Sequence, residues 1–145
     1  MIDTRTLMRD NLLKHNGIVI KVDEVKAEGV VSKGRFYKSE ELEPIEITEK
    51  WMDKLGFIEP LSEYKRQYLE TGLECYDDTY GHSVWIGAEE GGSDTVIMSF
   101  YDHHTDSDKN SCNMVESWGV SYVHDIQNLH ELLHRHHGMR KTIEI

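Results

Sequence analysis

Leu12-Leu13-Lys14-His15-Asn16-Gly17-Ile18-Val19-Ile20-Lys21-Val22 decides the fold class. Apolar residues flank Asn16-Gly17 on both sides, and Asn-Gly tolerates the positive φ that both central residues of a type I′ turn demand. The stretch predicts a hairpin that joins Leu12–Lys14 to a strand over Ile18–Val25, with Ile18, Ile20 and Val22 on one face. Further apolar runs at Val30-Val31 and Phe36-Tyr37 lie between Gly29, Gly34 and the acidic Glu40-Glu41. Residues 1–47 therefore read as short, strongly bent antiparallel strands, for which an SH3-like arrangement is expected.

Pro44 ends that unit, and Thr48 is placed to cap a helix whose first turn carries Glu49 near the positive end of the helix dipole. Trp51, Met52 and Leu55 form its apolar stripe, and Gly56 follows where a left-handed residue commonly stops a helix. From Tyr64 to Tyr122 the apolar residues alternate or cluster, notably at Val84–Ile86, Val96–Tyr101 and Val115–Val123. Gly91-Gly92 and Thr105–Ser111 separate these runs, which gives an antiparallel meander, with the polar Asp102–Asn110 as an exposed loop between two of its strands. Ile126, Leu129, Leu132 and Leu133 then recur at helical spacing behind Asp125, with Gly138 as the stop, so a C-terminal helix is expected to cover the meander. The fold class is α+β in one domain over 1–145, divided into a small β subdomain at 1–47 and a helix, sheet and helix at 48–145.

Composition narrows the class of protein. At 145 residues one core is feasible without disulfides, and three Trp, seven Tyr and three Phe supply large bodies to fill it despite a charged fraction of 30%. Cys75 and Cys112 belong to no C-x-x-C pair, so reduced thiols are expected. Residues 1–16 carry charges throughout without an apolar h-region, and no stretch approaches the ~20 apolar residues of a membrane span. A soluble, cytoplasmic protein is expected. The net charge of −11 is uneven: residues 1–40 hold eight Lys/Arg against six Asp/Glu, and the remainder eight against twenty-one, or +2 and −13. This disfavours direct nucleic-acid binding, which needs a basic surface to displace phosphate counterions, and it directs any anionic ligand to the N-terminal third. The acidity also serves solubility.

Two segments, Glu43-Pro44-Ile45-Glu46-Ile47-Thr48-Glu49-Lys50-Trp51-Met52-Asp53-Lys54-Leu55-Gly56-Phe57 and Tyr122-Val123-His124-Asp125-Ile126-Gln127-Asn128-Leu129-His130, resemble small uncharacterised proteins of Bacteroidetes phages and prophages. That family shows a Pro-Ile-Pro-Leu-Thr-Glu-Glu-Trp-Leu helix start, a Val-His-Gln-Leu-Gln-Asn-Leu-Tyr helix near the end and an N-terminal Arg-x-Gly-Asn-type strand, of which Arg9-Asp10-Asn11-Leu12 is a variant. The resemblance implies mobile-element origin. The chain departs from the family at His130, where the family has Tyr, and in the run His134-Arg135-His136-His137.

His130-Glu131-Leu132-Leu133-His134 matches H-E-x-x-H, in which two histidines one helical turn apart hold zinc and the Glu acts as general base on its water. None of the usual downstream third-ligand patterns fits. Passive metal capture by His130, His134 and His137 needs no cleft, and a solvated His-rich face needs no metal at all. His103, His104, Asp106 and Asp108 suit either a cation-binding loop or a polar loop tip. Lys33, Arg35, Tyr37 and Lys38 alternate charge and aromatic character on the expected third strand, which suits a phosphate with a stacked base and equally an ordinary solvated edge strand. His124 is expected to cap or pack. No glycine-rich phosphate loop, Gly-x-Ser-x-Gly elbow or Cys/His nucleophile pair is present in the sequence.

The expected function is that of a non-enzymatic, phage- or prophage-encoded binding protein acting in the host cytoplasm. Its partner is a small anionic ligand, held at Lys33, Arg35 and Tyr37, or a host protein. What the resemblance suggests is counter-defence, by sequestering a nucleotide signal or a host protein. No cofactor is expected, zinc at His130, His134 and His137 being the exception. A zinc-dependent hydrolase built on His130-Glu131-x-x-His134, or an acidic mimic of DNA, are the alternatives. With thirteen aromatic residues for one small core, a homo-oligomer is expected, and no membrane partner.

Overall fold

The computed structural model describes residues 1–57, 72–77, 82–88, 96–102 and 113–137. The chain forms two compact units, Met1–Ile47 with Tyr122–Leu129, and Thr48–Ser121 with His130–Ile145. It is a mixed α+β protein whose described helices include none long and apolar enough to cross a membrane.

In the first unit, strands β1 (Leu12–His15) and β2 (Ile18–Lys21) form the expected hairpin, with Asn16 at φ 50 and Gly17 at φ 77. Strand β6 (Leu42–Glu43) joins β1 on its other side, giving the order β2-β1-β6. A second antiparallel sheet is made by β3 (Glu24–Lys26), β4 (Gly29–Ser32) and β5 (Arg35–Lys38). The strand expected over Ile18–Val25 is thus divided between two sheets. The cause is a bulge: Asp10 adopts φ 71, and Asp10 and Asn11 together oppose Val22, the Asp10 N–H donating to Val22 O at 2.8 Å and the Val22 N–H to Asn11 O at 2.9 Å. One residue later the Asp23 N–H donates to Val31 O at 2.9 Å, so the chain passes from one sheet to the other between Val22 and Asp23.

Ile2, Leu7, Leu13, Val22, Val30 and Leu42 make the core of this unit, with Ile20, Val25 and Tyr37 packed at its border. Ile18, two residues from Ile20 on the same face of β2, is nonetheless 68% exposed, because it sits at the turn end of an edge strand, beyond the core. At Gly29 the β4–β5 pairing is so close that a Cβ would run into the Tyr37 carbonyl oxygen, with the Phe36 ring 2.9 Å away.

Helix α2 (Val123–His137) begins in this unit, and side-chain amides fasten it. Gln127 Oε1 accepts from the Leu12 N–H at 2.9 Å, and its Nε2 donates to Asp10 O at 3.1 Å. Bonding to the residues on either side of Asn11 is what a residue of a parallel neighbouring strand does, so the Gln127 carboxamide extends the sheet where β6 has ended. Asn11 Nδ2 donates to Asn128 Oδ1 at 2.7 Å, Asn128 Nδ2 to Thr6 O at 2.7 Å, and the Met8 N–H to Asn11 Oδ1 at 2.8 Å. Asn11 is buried, and its amide meets partners on both sides. Backbone contacts complete the junction: the Val123 N–H donates to Ile45 O at 2.9 Å, and Glu46 bridges antiparallel to Tyr122.

The second unit opens with α1 (Glu49–Leu55). Thr48 Oγ1 accepts from the Trp51 N–H at 3.3 Å, and Gly56 closes the helix at φ 90, as expected. Met52, Leu55 and Phe57 are buried. Trp51 is only half-buried, with Lys54 Nζ 4.5 Å from its ring centroid, so the stripe is narrower than the sequence suggests. Strands β7 (Gly72–Asp77), β8 (His82–Ala88), β9 (Val96–Asp102) and β10 (Asn113–Val120) follow in the order β10-β9-β8-β7, a pure antiparallel meander with an irregularity between Met114 and Glu116. The apolar run expected to reach Val123 stops as strand at Val120, since Val123 already belongs to α2. Gly91, Gly92 and Gly138 lie outside the described residues.

Two expectations test this arrangement. Gln127→Glu removes the donor to Asp10 O and sets a carboxylate against that carbonyl, so it should lower stability by about 1–3 kcal/mol, as should Asn128→Ala by orphaning the buried Asn11 amide; urea midpoints equal to wild type would show that the clasp contributes nothing. Leu55→Ala, at a fully buried position, should cost about 2–5 kcal/mol and more than Trp51→Ala; the reverse order in chemical denaturation would place Trp51 in the core.

Candidate functional site

The β4–β5 turn concentrates the basic and aromatic residues singled out in the sequence. Lys33, expected on a strand, occupies the turn itself: Lys33 at φ 49 and Gly34 at φ 78 are the two loop residues between the paired Ser32 and Arg35. Both central residues of such a turn need positive φ, a conformation costing a non-glycine residue about 1–2 kcal/mol. The equivalent turn between β1 and β2 uses Asn16, which tolerates it. The Lys33 N–H donates to Asp23 Oδ2 at 2.6 Å, which anchors the turn.

Arg35 and Tyr37 alternate along β5 and share a face, and the Arg35 guanidinium carbon lies 4.7 Å from the Tyr37 ring centroid. Tyr37 is half-buried at the border of the core, so one face of its ring is covered by Arg35 instead of being offered as a stacking platform. The edge-on neighbour of Tyr37 is His15, with ring centroids 4.8 Å apart at 64°. His15 was not legible as a site residue, because it comes from β1 in the other sheet. It is directly paired with Ile18 across the hairpin. Arg35 and Tyr37 are thus brought together with His15, Lys33 holds the turn two residues before Arg35, and Lys38 lies at the far end of β5.

The other candidates are arranged differently. A cleft of about 420 Å³ is lined by Met1, Ile2, Asp3, Thr4, Arg5, Ala27 and Ser39. Arg5 is engaged there by Asp3, at 2.8 Å, and its hydrogen bonds hold the Asp3 carboxyl below the ordinary carboxylate range. Along α2, His130 is 3% exposed, His134 is half-buried, and the intervening Glu131 accepts from Arg135 Nε at 2.9 Å. The base position of the H-E-x-x-H motif is therefore occupied by an i,i+4 ion pair. The side chain of His137 lies outside the described residues, as do His103, His104, Asp106, Asp108 and Cys112 entirely; Cys75 is placed on β7 by its backbone. Among the described residues no three His, Cys, Asp or Glu side chains gather as a metal site.

His124 packs at the start of α2, stacked on Tyr122 at 5.7 Å and 13°, with Nε2 3.6 Å from Asp125 Oδ1 and with a buried Nδ1 that has no hydrogen-bond partner. Burial pushes its pKa down, and the Asp125 carboxylate offsets part of that. Asp125 also caps the helix by accepting the Tyr122 N–H at 2.9 Å.

Compared with known proteins, the chain matches no protein-family model, no curated protein and no solved structure.

A histidine whose folded pKa lies below its unfolded value near 6.5 favours the folded state fully above that value. The contribution is lost as pH falls from there through the lowered folded pKa, because the unfolded chain binds the proton first. Stability to urea should therefore decline between pH 7.5 and 5.5 more steeply in wild type than in His124→Phe; parallel curves would remove His124 as the cause.

Proposed function

We propose that the chain is a non-enzymatic binding protein that holds a small anionic ligand on its N-terminal β unit, at Lys33, Arg35 and Tyr37. The observation that carries this reading is Lys33 at φ 49. A lysine in a turn position that suits Asn or Gly sacrifices stability, and such local strain concentrates where a side chain is needed for something other than folding. Gly34 then directs the chain into Arg35, whose guanidinium is oriented by the Tyr37 ring, so one hairpin carries two cationic residues within three positions. This region also carries the chain's local excess of positive charge, within a protein of net charge −11. In the setting suggested by the sequence resemblance, a phage or prophage protein in a host cytoplasm, the role is counter-defence by sequestering an anionic signal. Arg135 engaging Glu131 supports the non-enzymatic reading over a zinc hydrolase.

Lys33→Asn separates strain from function. It should raise stability by about 0.5–1 kcal/mol, by relieving the left-handed lysine, while weakening ligand retention; Arg35→Gln should weaken retention further. Native mass spectrometry of the protein after exposure to a host metabolite extract reads the retained species. Retention unchanged in the Lys33→Asn, Arg35→Gln double variant would defeat the assignment.

A further inference from the structure

The cationic tip has an apolar neighbour that an inorganic anion has no use for. His15 and Ile18 are paired in register across the first hairpin, and residues paired in this way project from the same face of a sheet. The His15 ring packs against Tyr37 at a steep angle, so this face continues the surface on which Arg35 lies. Ile18 is 68% exposed, more than any other large apolar residue of β1–β6. Along one surface the side chains therefore run from Ile18 to His15 to Tyr37 to Arg35, with Lys33 at the turn beyond: apolar, then aromatic, then cationic. Arg35 covers one face of Tyr37, which leaves the His15 and Ile18 end to receive a flat apolar group while a phosphate pairs with the cations.

We propose that His15 and Ile18 form the base-side half of this site, so that its ligand is a nucleoside phosphate and not a simple oxyanion. The proposal rests on the anion-binding reading above and extends it to the chemical class of the ligand. A base is planar and stacks on an aromatic ring whatever its identity, and an imidazole beside an exposed isoleucine offers a flat, largely apolar contact that a sugar or an extended acidic peptide has less use for.

The test is calorimetric titration of the full chain with inorganic phosphate, the four ribonucleosides and the four ribonucleoside 5′-monophosphates. At least one monophosphate should bind ten-fold or more tightly than phosphate and than its nucleoside. Ile18→Thr keeps a β-branched residue at an exposed strand position, so the fold should be retained; it should weaken that monophosphate three-fold or more and leave phosphate unchanged, whereas Arg35→Gln should weaken both. His15→Gln provides a second variant for the base side, with its circular dichroism spectrum checked against wild type. If phosphate and the monophosphates bind equally, or if both Ile18→Thr and His15→Gln leave monophosphate affinity unchanged, the base-side assignment is overturned and the anion reading stands. If neither phosphate nor any monophosphate binds, both fall.

Discussion

Two carboxamides on α2 organise the N-terminal unit. β6 is only two residues long and pairs with Lys14 and His15, so the earlier part of β1 would end with open backbone groups on that side. Gln127 closes them by bonding Leu12 and Asp10 as a strand would, and Asn128 accepts from Asn11 while donating to Thr6 O. A buried N–H or C=O left unpaired costs about as much as a lost hydrogen bond. The helix is thus attached by the unmet hydrogen bonds of a truncated sheet. A purely apolar contact would have tolerated sliding, while paired donors and acceptors admit one register.

Left-handed residues set where the chain turns, and they differ in meaning. Asn16 and Gly17 satisfy a hairpin at little cost, and Asp10 generates the bulge that sends the strand from one sheet to the other. Lys33 is the exception, since its side chain gives the backbone no help in that conformation. Its stability is supplied by neighbours, through Gly34 and the bond from its own N–H to Asp23. The site and the strain therefore coincide at one hairpin tip.

Much of the fold was legible because its signals are local. Asn16-Gly17, the Thr48 cap, the Gly56 stop and the alternating runs of the meander each depend on residues within a few positions. The clasp was not legible, since nothing in the spacing of Asn11, Gln127 and Asn128 shows that an amide is needed 117 residues away. The β4–β5 turn was hidden because Lys33 is not a turn-forming type, and the exposure of Ile18 was hidden because periodicity cannot tell where a core ends along a strand. Of the site, Lys33, Arg35 and Tyr37 were visible as an alternating pattern, whereas His15 enters only through the meeting of two sheets. His130 lies on what the sequence offers as a solvated His-rich face, and its burial follows from helix placement that the sequence alone does not supply.

The clasp also has a temporal side. Asn11 leaves the ribosome long before Asn128, and at synthesis rates of about 5–20 residues per second their separation amounts to roughly ten seconds during which β1 has no partner along its open side. The first hairpin can form early, but the N-terminal unit is completed only after the segment carrying Gln127 and Asn128 has emerged. Nascent molecules thus pass through a stage in which a short apolar strand edge is exposed in a crowded cell. The Lys14 and Lys21 side chains along this hairpin carry like charge from one nascent chain to the next, which opposes edge-to-edge association while the missing amides are still being made.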